Sequence, residues 1–264
     1  MRWRGASWVV ALATLVLAST GAGACGVGGG RDNGSTAGVQ VSPPAGPDDL
    51  VVRLSELPGM LPPGGAAAVL PTFSLYGDGR LISAPVAGAA GWPVFDEYRV
   101  PTDDVRGLLQ AAADTGILAD TRPPTSSFAG PDAPVAVVTA VSGGMRRTGS
   151  LPRSDRAVTH LRAELTRHAA GSHNPYRPAA VAVIANPTTA SEPARSWPLG
   201  SLDGQPLTGL GAGSRCTVLR GADIDAAREA AAGANPATVW RSGDRLWTVV
   251  FRPLLPDEPG CAAL

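Results

Sequence analysis

Two kinds of apolar pattern alternate along residues 50–256. Stretches in which apolar and polar residues alternate predict strands, and stretches in which apolar residues recur every third or fourth position predict amphipathic helices. Strands that flank a Gly-containing turn are typical of hairpins. The sequence predicts hairpins at 72–83, 135–151 and 238–252, and single strands at 50–54, 94–100, 179–185 and 216–219.

The helical pattern occurs at 102–115, 155–170 and 223–232. In the first of these segments one face carries the apolar residues Val105, Leu108, Leu109 and Ala112. Gly116 follows at a position suited to ending the helix. At the start of each helix, a polar side chain is expected to accept hydrogen bonds from the free backbone N–H groups of the first turn. The predicted N-caps are Thr102, Ser154 and Asp223.

The order of these elements determines the predicted fold class. Strand pairs alternate with single helices, which favours an α+β fold of antiparallel hairpins with helices packed on one face of the sheet. A related order occurs in residues 48–175 and, permuted, in residues 176–264, although no residue pattern recurs between them. We therefore predict two α+β subdomains at these boundaries and leave open whether they are similar. Asp257 and Glu258, near Cys261, admit two interpretations: they face a partner, or they lie in a solvated C-terminal loop, which we favour.

The first 24 residues have the features of a secretory signal peptide. Arg2 and Arg4 precede an apolar run of 11 residues, 8–18, which is interrupted only by Thr14. This run is shorter than the roughly 20 residues that a membrane-spanning helix needs, and small residues follow it. Residues 25–47 are rich in Gly, Ser, Pro, Asp and Asn, a composition that predicts a flexible tether.

Cys25 admits two interpretations. The sequence Ala22-Gly23-Ala24-Cys25 resembles a bacterial lipobox, in which the cysteine receives a diacylglycerol, although Ala22 stands where lipoboxes usually have Leu. Ala22 and Ala24 also suit ordinary signal cleavage, which would release a secreted protein with a free thiol. We favour lipidation of Cys25, because an unpaired cysteine is unusual in a secreted protein.

The other two cysteines, Cys216 and Cys261, bear on the compartment. In an oxidising compartment they most simply form one disulfide bond. The alternatives are two free thiols or a metal-binding pair. The metal pair is disfavoured because no further cysteine and no nearby histidine is available to complete it.

Charge and motif content narrow the chemistry. The chain has no lysine, and removal of Arg2 and Arg4 with the signal leaves 20 arginines against 22 acidic residues, a net charge of −2. The slightly negative net charge disfavours nucleic acid as a partner. The absence of lysine excludes a Schiff-base lysine and a P-loop lysine. His160, His168 and His173 lack metal-ligand spacing, and no serine nucleophile motif is present. We predict no metal, no cofactor and no catalytic residue.

Three aromatic residues, Trp92, Phe95 and Tyr98, lie close together in the sequence. Such residues form either an exposed platform for a sugar or part of the core. We favour core packing, because the chain has only four phenylalanines and aromatic side chains supply much of the buried area of a core.

Several longer motifs resemble a group of actinobacterial exported proteins, which are predicted lipoproteins of unknown function. The motifs are Phe-Ser-Leu-Tyr-Gly-Asp-Gly-Arg at 73–80, Trp-Pro-Leu-Gly at 197–200, Trp-Arg-Ser-Gly at 240–243, Arg-Pro-Leu-Leu-Pro-Asp-Glu at 252–258, and Cys261. The resemblance implies an extracytoplasmic location and a lineage, and it supplies no catalytic residue.

The sequence therefore predicts a non-catalytic, lipid-anchored protein of the cell envelope. Its expected partners are the membrane, through the lipid on Cys25, and an envelope protein or a ligand at the outer face. Two alternatives stay open. One is a secreted hydrolase whose Ser, His and Asp residues come together only in space. The other is a carrier of a small lipid or sugar, which requires a sizeable apolar cavity.

Overall fold

A computed structural model describes residues 39–60, 65–84, 92–119, 133–190, 193–207 and 213–264 of the chain. The predicted signal peptide and the predicted lipidation site Cys25 lie outside these residues. Within the described part of the chain, no helix has the length and apolar character needed to cross a membrane.

Seven antiparallel strands form a first sheet. In chain order they are β1 (Leu50–Leu57), β2 (Phe73–Tyr76), β3 (Arg80–Ser83), β4 (Asp96–Arg99), β5 (Val135–Ser142), β6 (Met145–Pro152) and β7 (His173–Pro175). Their order in the sheet is β6-β5-β1-β2-β3-β4-β7. The turn between β5 and β6 contains two glycines with positive φ, Gly143 at 57° and Gly144 at 79°, a conformation that suits tight hairpins.

Six further strands form a second sheet, again mostly antiparallel. They are β8 (Ala180–Pro187), β9 (Arg195–Ser196), β10 (Gln205–Pro206), β11 (Arg215–Arg220), β12 (Val239–Ser242) and β13 (Arg245–Pro253). Their order is β10-β11-β8-β13-β12-β9, and only the β9–β12 pair is parallel. The helices are α1 (Gly65–Ala68), α2 (Thr102–Ala113), α3 (Arg156–His168) and α4 (Ala222–Ala231).

Helices α2 and α3 cover one face of the first sheet and α4 covers one face of the second, whereas the short helix α1 packs against the opposite face of the second sheet through Ala67. The apolar stripe predicted for α2 is buried against the first sheet, together with Val158, Leu161 and Leu165 of α3. Helix α4 packs on the second sheet. There Trp247, Val249 and Phe251 of β13 share one buried face, as their alternation in the sequence predicts. Mostly antiparallel sheets with separate helices packed on them confirm the α+β class. The division into two subdomains at residues 48–175 and 176–264 stays a prediction.

The helix starts differ from the predicted N-caps Thr102, Ser154 and Asp223. Asp155 caps α3 in place of Ser154, because its Oδ1 accepts hydrogen bonds from two backbone N–H groups of the first turn, at 2.8 and 3.1 Å. Thr102 is already helical and follows Pro101, whereas α4 follows Gly221 at φ +56°. Neither of these two starts has a side-chain cap, but both helices have two acidic residues in the first turn, which suit the positive end of the helix dipole.

The segment predicted as a tether makes contacts with the first sheet and α2 over its described part, residues 39–47. Val41 is buried in the core beneath α2, and its carbonyl accepts a hydrogen bond from Arg106. The backbone of Ser42 bonds to the β5–β6 turn at Ser142 and Gly143, both at 2.9 Å. This part of the predicted tether therefore belongs to the folded body.

Residues 254–264, here called the C-terminal segment, contact both sheets. Leu255 packs with Tyr76 and Phe95 of the first half of the chain. The backbone N–H of Leu254 donates to the carbonyl of Ala180 in the second sheet, at 2.9 Å. The segment therefore connects the uncovered face of the first sheet to the second sheet.

Four charged side chains of this junction form what we call the buried ionic cluster: Arg53, Arg252, Asp257 and Glu258. Glu258 accepts two hydrogen bonds from Arg252, at 2.7 and 2.9 Å, and one from Arg53 at 3.1 Å. Arg53 also pairs with Asp257 at 2.5 Å, and the hydroxyl of Tyr76 donates to the same carboxylate at 2.9 Å. Glu258 is thus buried and Asp257 half-buried, both in ion pairs, and the expected solvated loop is wrong.

The predicted disulfide bond is confirmed. Cys216 of β11 is bonded to Cys261 near the end of the chain, across a sequence separation of 45 residues. Both cysteines are almost fully buried, with exposed fractions of 1% and 3%. The bond therefore fastens the end of the C-terminal segment to the second sheet.

Replacing both cysteines, Cys216→Ser with Cys261→Ser, should lower the free energy of unfolding by about 4 kcal/mol, because a closed loop of this length restricts the unfolded chain. Thermal unfolding with and without reductant checks this, and the double variant should be insensitive to the reductant. Equal melting temperatures of the wild-type protein in both conditions would contradict the pairing.

Glu258→Ala should lower the free energy of unfolding by about 3–5 kcal/mol, because Arg53 and Arg252 lose their shared buried carboxylate. Urea unfolding measures the change. The matched control is Glu164→Ala, which removes an exposed pair with Arg167 within one helix and should leave stability nearly unchanged.

The same variant should alter the pH dependence of stability. Burial alone would raise the pKa of Glu258, but the hydrogen bonds and charges of Arg252 and Arg53 outweigh it and hold that pKa below its ordinary value. A carboxylate with a depressed pKa stabilises the fold above its unfolded pKa of about 4.3, and this contribution is lost as the pH falls through the folded pKa. The wild-type protein should therefore lose stability more steeply below about pH 4 than Glu258→Ala does.

Candidate ligand cleft

A cleft of about 680 Å³ opens where the end of the first sheet meets α4. Its walls are residues 92–95, residues 175–179 and the first half of α4, and we call it the aromatic cleft. Its volume lies within the usual range of ligand sites, roughly 300–1,000 Å³. The mixture of aromatic, proline and arginine side chains gives it both apolar and cationic surface.

Trp92 forms one wall of the aromatic cleft and is held by two neighbours. Its ring centroid lies 5.4 Å from that of Phe251 on β13. The guanidinium carbon of Arg228 on α4 lies 5.2 Å from the Trp92 ring centroid, a cation–π distance. Arg228 in turn pairs with Asp225 at 2.7 Å. The tryptophan is therefore fixed in place and already carries a cation on its ring.

Tyr176 forms the wall opposite. Its ring meets Phe95 edge to face at a centroid distance of 6.1 Å, and its backbone N–H donates to the Phe95 carbonyl at 2.9 Å. Its hydroxyl donates to the carbonyl of Leu254 at 3.0 Å. Burial raises the pKa of Tyr176, which keeps this hydroxyl a hydrogen-bond donor even at alkaline pH. Tyr176 thus acts as a fixed structural wall.

The three aromatic residues considered as a sugar platform do not all come together. Trp92 and Phe95 both border the cleft, and Phe95 is buried beside Leu255. Tyr98 packs in the core beneath α2, with its ring 5.3 Å from that of His173. Each of the three packs in or against a core, and only Trp92 and Phe95 border the cleft.

A second cleft, of about 280 Å³, lies on the other side of residues 176–179, and we call it the arginine cleft. Tyr176, Arg177 and Ala179 border both clefts, so this short segment forms the wall between them. The charged residues that border the arginine cleft are Asp48, Arg80, Arg177, Arg220 and Glu258.

The arginines of the arginine cleft differ in their partners. Arg80 pairs with Asp78 at 2.9 Å and with Asp48 at 3.2 Å. Arg220 donates from one nitrogen to the Pro259 carbonyl, at 3.1 Å. Arg177 is exposed and has no hydrogen bond or ion pair with any residue that the structure describes. The cleft therefore presents guanidinium groups of which only some are engaged.

The histidines lie away from both clefts. His160 is exposed on α3, His168 lies 4.0 Å from Asp104, and His173 lies 3.7 Å from Asp96. In the described part of the chain no serine hydroxyl bonds to a histidine, and no group of three metal-ligating side chains is found. Of the predicted site residues, Cys216 and Cys261 form the disulfide, and Cys25 lies outside the described residues.

Sequence reasoning did not single out Tyr176, Arg177, Arg220 or Arg228. The only local signal is the sequence Pro175-Tyr176-Arg177-Pro178, in which two prolines restrict the backbone around an aromatic and a cationic residue. Arg220 and Arg228 sit at the end of a strand and within a helix, where a surface arginine is ordinary.

No protein-family model, no curated protein and no solved structure matches the chain. The resemblance to actinobacterial exported lipoproteins therefore remains a prediction from the quoted motifs. The functional interpretation rests on the clefts themselves.

Tyr176→Phe should lower the free energy of unfolding by about 1–2 kcal/mol, because the buried Leu254 carbonyl loses its donor. Urea unfolding measures the change. Tyr98→Phe is the matched control, since the Tyr98 hydroxyl bonds to no residue in the described ranges, and it should cost less. Equal losses in the two variants would show that Tyr176 does not hold the C-terminal segment.

Proposed function

We propose that the chain is an exported, lipid-anchored protein of the cell envelope that binds a ligand in the aromatic cleft at the outer face of the membrane. The observation that carries the binding role is the cleft itself, a concave site of about 680 Å³ with cationic and aromatic walls. A protein partner would have to insert a side chain or a short segment into it.

The buried disulfide bond supports the extracytoplasmic location. Disulfides persist in oxidising compartments and are rare in the cytosol. The bond between Cys216 and Cys261 is nearly inaccessible to solvent and closes a long loop, as is common for a structural bond. The signal-like residues 1–24 and Cys25 provide the export signal and the anchor in this proposal.

The walls of the cleft are suited to binding because they are held before any ligand arrives. Trp92 rests on Phe251 and under Arg228, and Tyr176 is fixed by hydrogen bonds at its backbone and its hydroxyl. A site whose side chains are already positioned loses less entropy on binding. Rigid walls therefore favour selective recognition.

An apolar pocket of about 150 Å³ adjoins the aromatic cleft at Pro93. Leu70, Trp240 and Phe251 are among its lining residues. Its volume suits a short apolar group of a ligand and is too small for an acyl chain. Within the described residues, this observation favours a polar ligand with a small apolar part over a lipid cargo.

Cys25→Ala should move the protein from the membrane fraction to the soluble extracytoplasmic fraction of a bacterial host that processes lipoproteins. The lost acyl chains account for this, since each buried CH₂ contributes about 0.8 kcal/mol to membrane binding. Native mass spectrometry of the gently extracted wild-type protein should show a diacylglycerol on Cys25. A discrete additional mass would identify a retained ligand.

The matched control is the double variant Cys216→Ser with Cys261→Ser, which lacks two cysteines but retains Cys25 and should stay in the membrane fraction. A wild-type protein that begins at an unmodified Cys25, or a Cys25→Ala protein that remains membrane-bound, would contradict the anchor. The first result would support ordinary secretion instead.

A further inference from the structure

Most charged groups that border the two clefts are neutralised by a neighbour. Arg228 is paired with Asp225 at 2.7 Å in the aromatic cleft. In the arginine cleft, Arg80 takes both Asp78 and Asp48 as partners, at 2.9 and 3.2 Å. Arg80 therefore neutralises the exposed carboxylate of Asp48, and neither group is left unpaired in this cleft.

Glu258 also borders the arginine cleft, but its charge is used inside the protein. Its two oxygens accept hydrogen bonds from Arg252, from Arg53 and from the backbone N–H of Leu255. Its side chain is only 2% exposed. Glu258 is therefore not available to neutralise a cation on the solvent side of the cleft.

Two cations that border the arginine cleft have no acidic partner among the described residues, Arg177 and Arg220. Arg177 has no polar partner within the described ranges, and Arg220 contacts only a carbonyl, that of Pro259. Both line the same cleft of about 280 Å³, on a chain whose formal net charge is zero. Guanidinium groups present paired N–H donors that match the oxygens of a phosphate or a carboxylate.

We propose that Arg177 and Arg220 bind the phosphate or carboxylate of an anionic sugar ligand in the arginine cleft, while the sugar extends past Tyr176 into the aromatic cleft. This inference rests on the proposed function, for which it specifies the class of ligand. Arg177 borders both clefts, so an anion at Arg177 brings the rest of its molecule to the larger one.

The sizes of the two clefts support a ligand with two parts. The arginine cleft has room for a compact anionic group, and the aromatic cleft is more than twice as large, at about 680 Å³. Polar groups of a sugar can meet Asp225 and Arg228, which are both exposed on α4. A free sugar phosphate, a uronic acid and the anionic unit of a longer glycan share this chemistry.

Titration calorimetry on the mature chain, residues 25–264, tests the proposal with four probes at low ionic strength. The probes are glucose 1-phosphate, glucuronate, inorganic phosphate and glucose. The two anionic sugars should bind more tightly than phosphate, and glucose should bind least. High salt should weaken the binding of both anionic sugars, because the two arginines are exposed to solvent.

Arg177→Gln and Arg220→Gln should each weaken binding of the anionic sugars by about tenfold or more, through loss of charge-assisted hydrogen bonds. Arg241→Gln is the matched control, an exposed arginine on the second sheet, and it should bind as the wild type does. Arg220→Lys keeps the charge and should retain part of the affinity. Unchanged melting temperatures establish that the Arg177 variant remains folded.

The outcomes separate this inference from the proposed function. Equal binding of glucose and glucose 1-phosphate, undiminished in the arginine variants, would overturn the anionic class while leaving a binding role for the cleft. Equal binding of phosphate and glucose 1-phosphate would overturn the extension into the aromatic cleft. No binding of any probe, or equal losses in Arg241→Gln, would overturn the inference, whereas the fate of the Cys25→Ala protein tests the anchor independently.

Discussion

The buried ionic cluster is the interaction on which the arrangement of the two sheets depends. Among the described residues, strand pairing runs within each sheet, and side chains and the C-terminal segment join the two sheets. Glu258 occupies the centre, where it neutralises Arg53 from the first sheet and Arg252 from the second. A buried ion pair adds little stability over apolar packing, but a missing partner is costly. The cluster therefore favours one docking of the sheets over others.

The same segment shapes the arginine cleft. Residues 254–259 form part of its lining, and the Pro259 carbonyl holds Arg220 while the Leu254 carbonyl holds Tyr176. The disulfide at Cys261 fastens this segment to β11 just beyond the cleft. The covalent bond, the ionic cluster and the cleft are thus consecutive features of one short stretch of chain. Disturbing either fastening should loosen the cleft as well as the fold.

Sequence pattern predicted the elements that bury an apolar face over several residues. The three hairpins and the three long helices follow directly from their periodicity, and the pairing of Cys216 with Cys261 follows from the number of cysteines. The short strands β7, β9 and β10 were missed, because two or three exposed residues carry no periodicity. The predicted helix starts are off by one or two residues, because α2 and α4 begin after Pro101 and Gly221 without a side-chain cap and Asp155 caps α3 in place of its neighbour Ser154.

The two clefts and the ionic cluster lie beyond sequence reasoning for a different reason. Asp257 and Glu258 look like solvated residues in the sequence. Their burial depends on Arg252 and on Arg53, which lies 205 residues from Glu258 along the chain. Arg177 and Arg241 illustrate the opposite case, in which a charged side chain stays exposed to solvent in the fold. Both are exposed arginines, and what distinguishes Arg177 in the fold is a second cation without an acidic partner, Arg220, which borders the same cleft. An exposed arginine becomes a candidate binding residue when no acidic side chain lies near it. The sequence cannot show this, because the fold decides which side chains become neighbours.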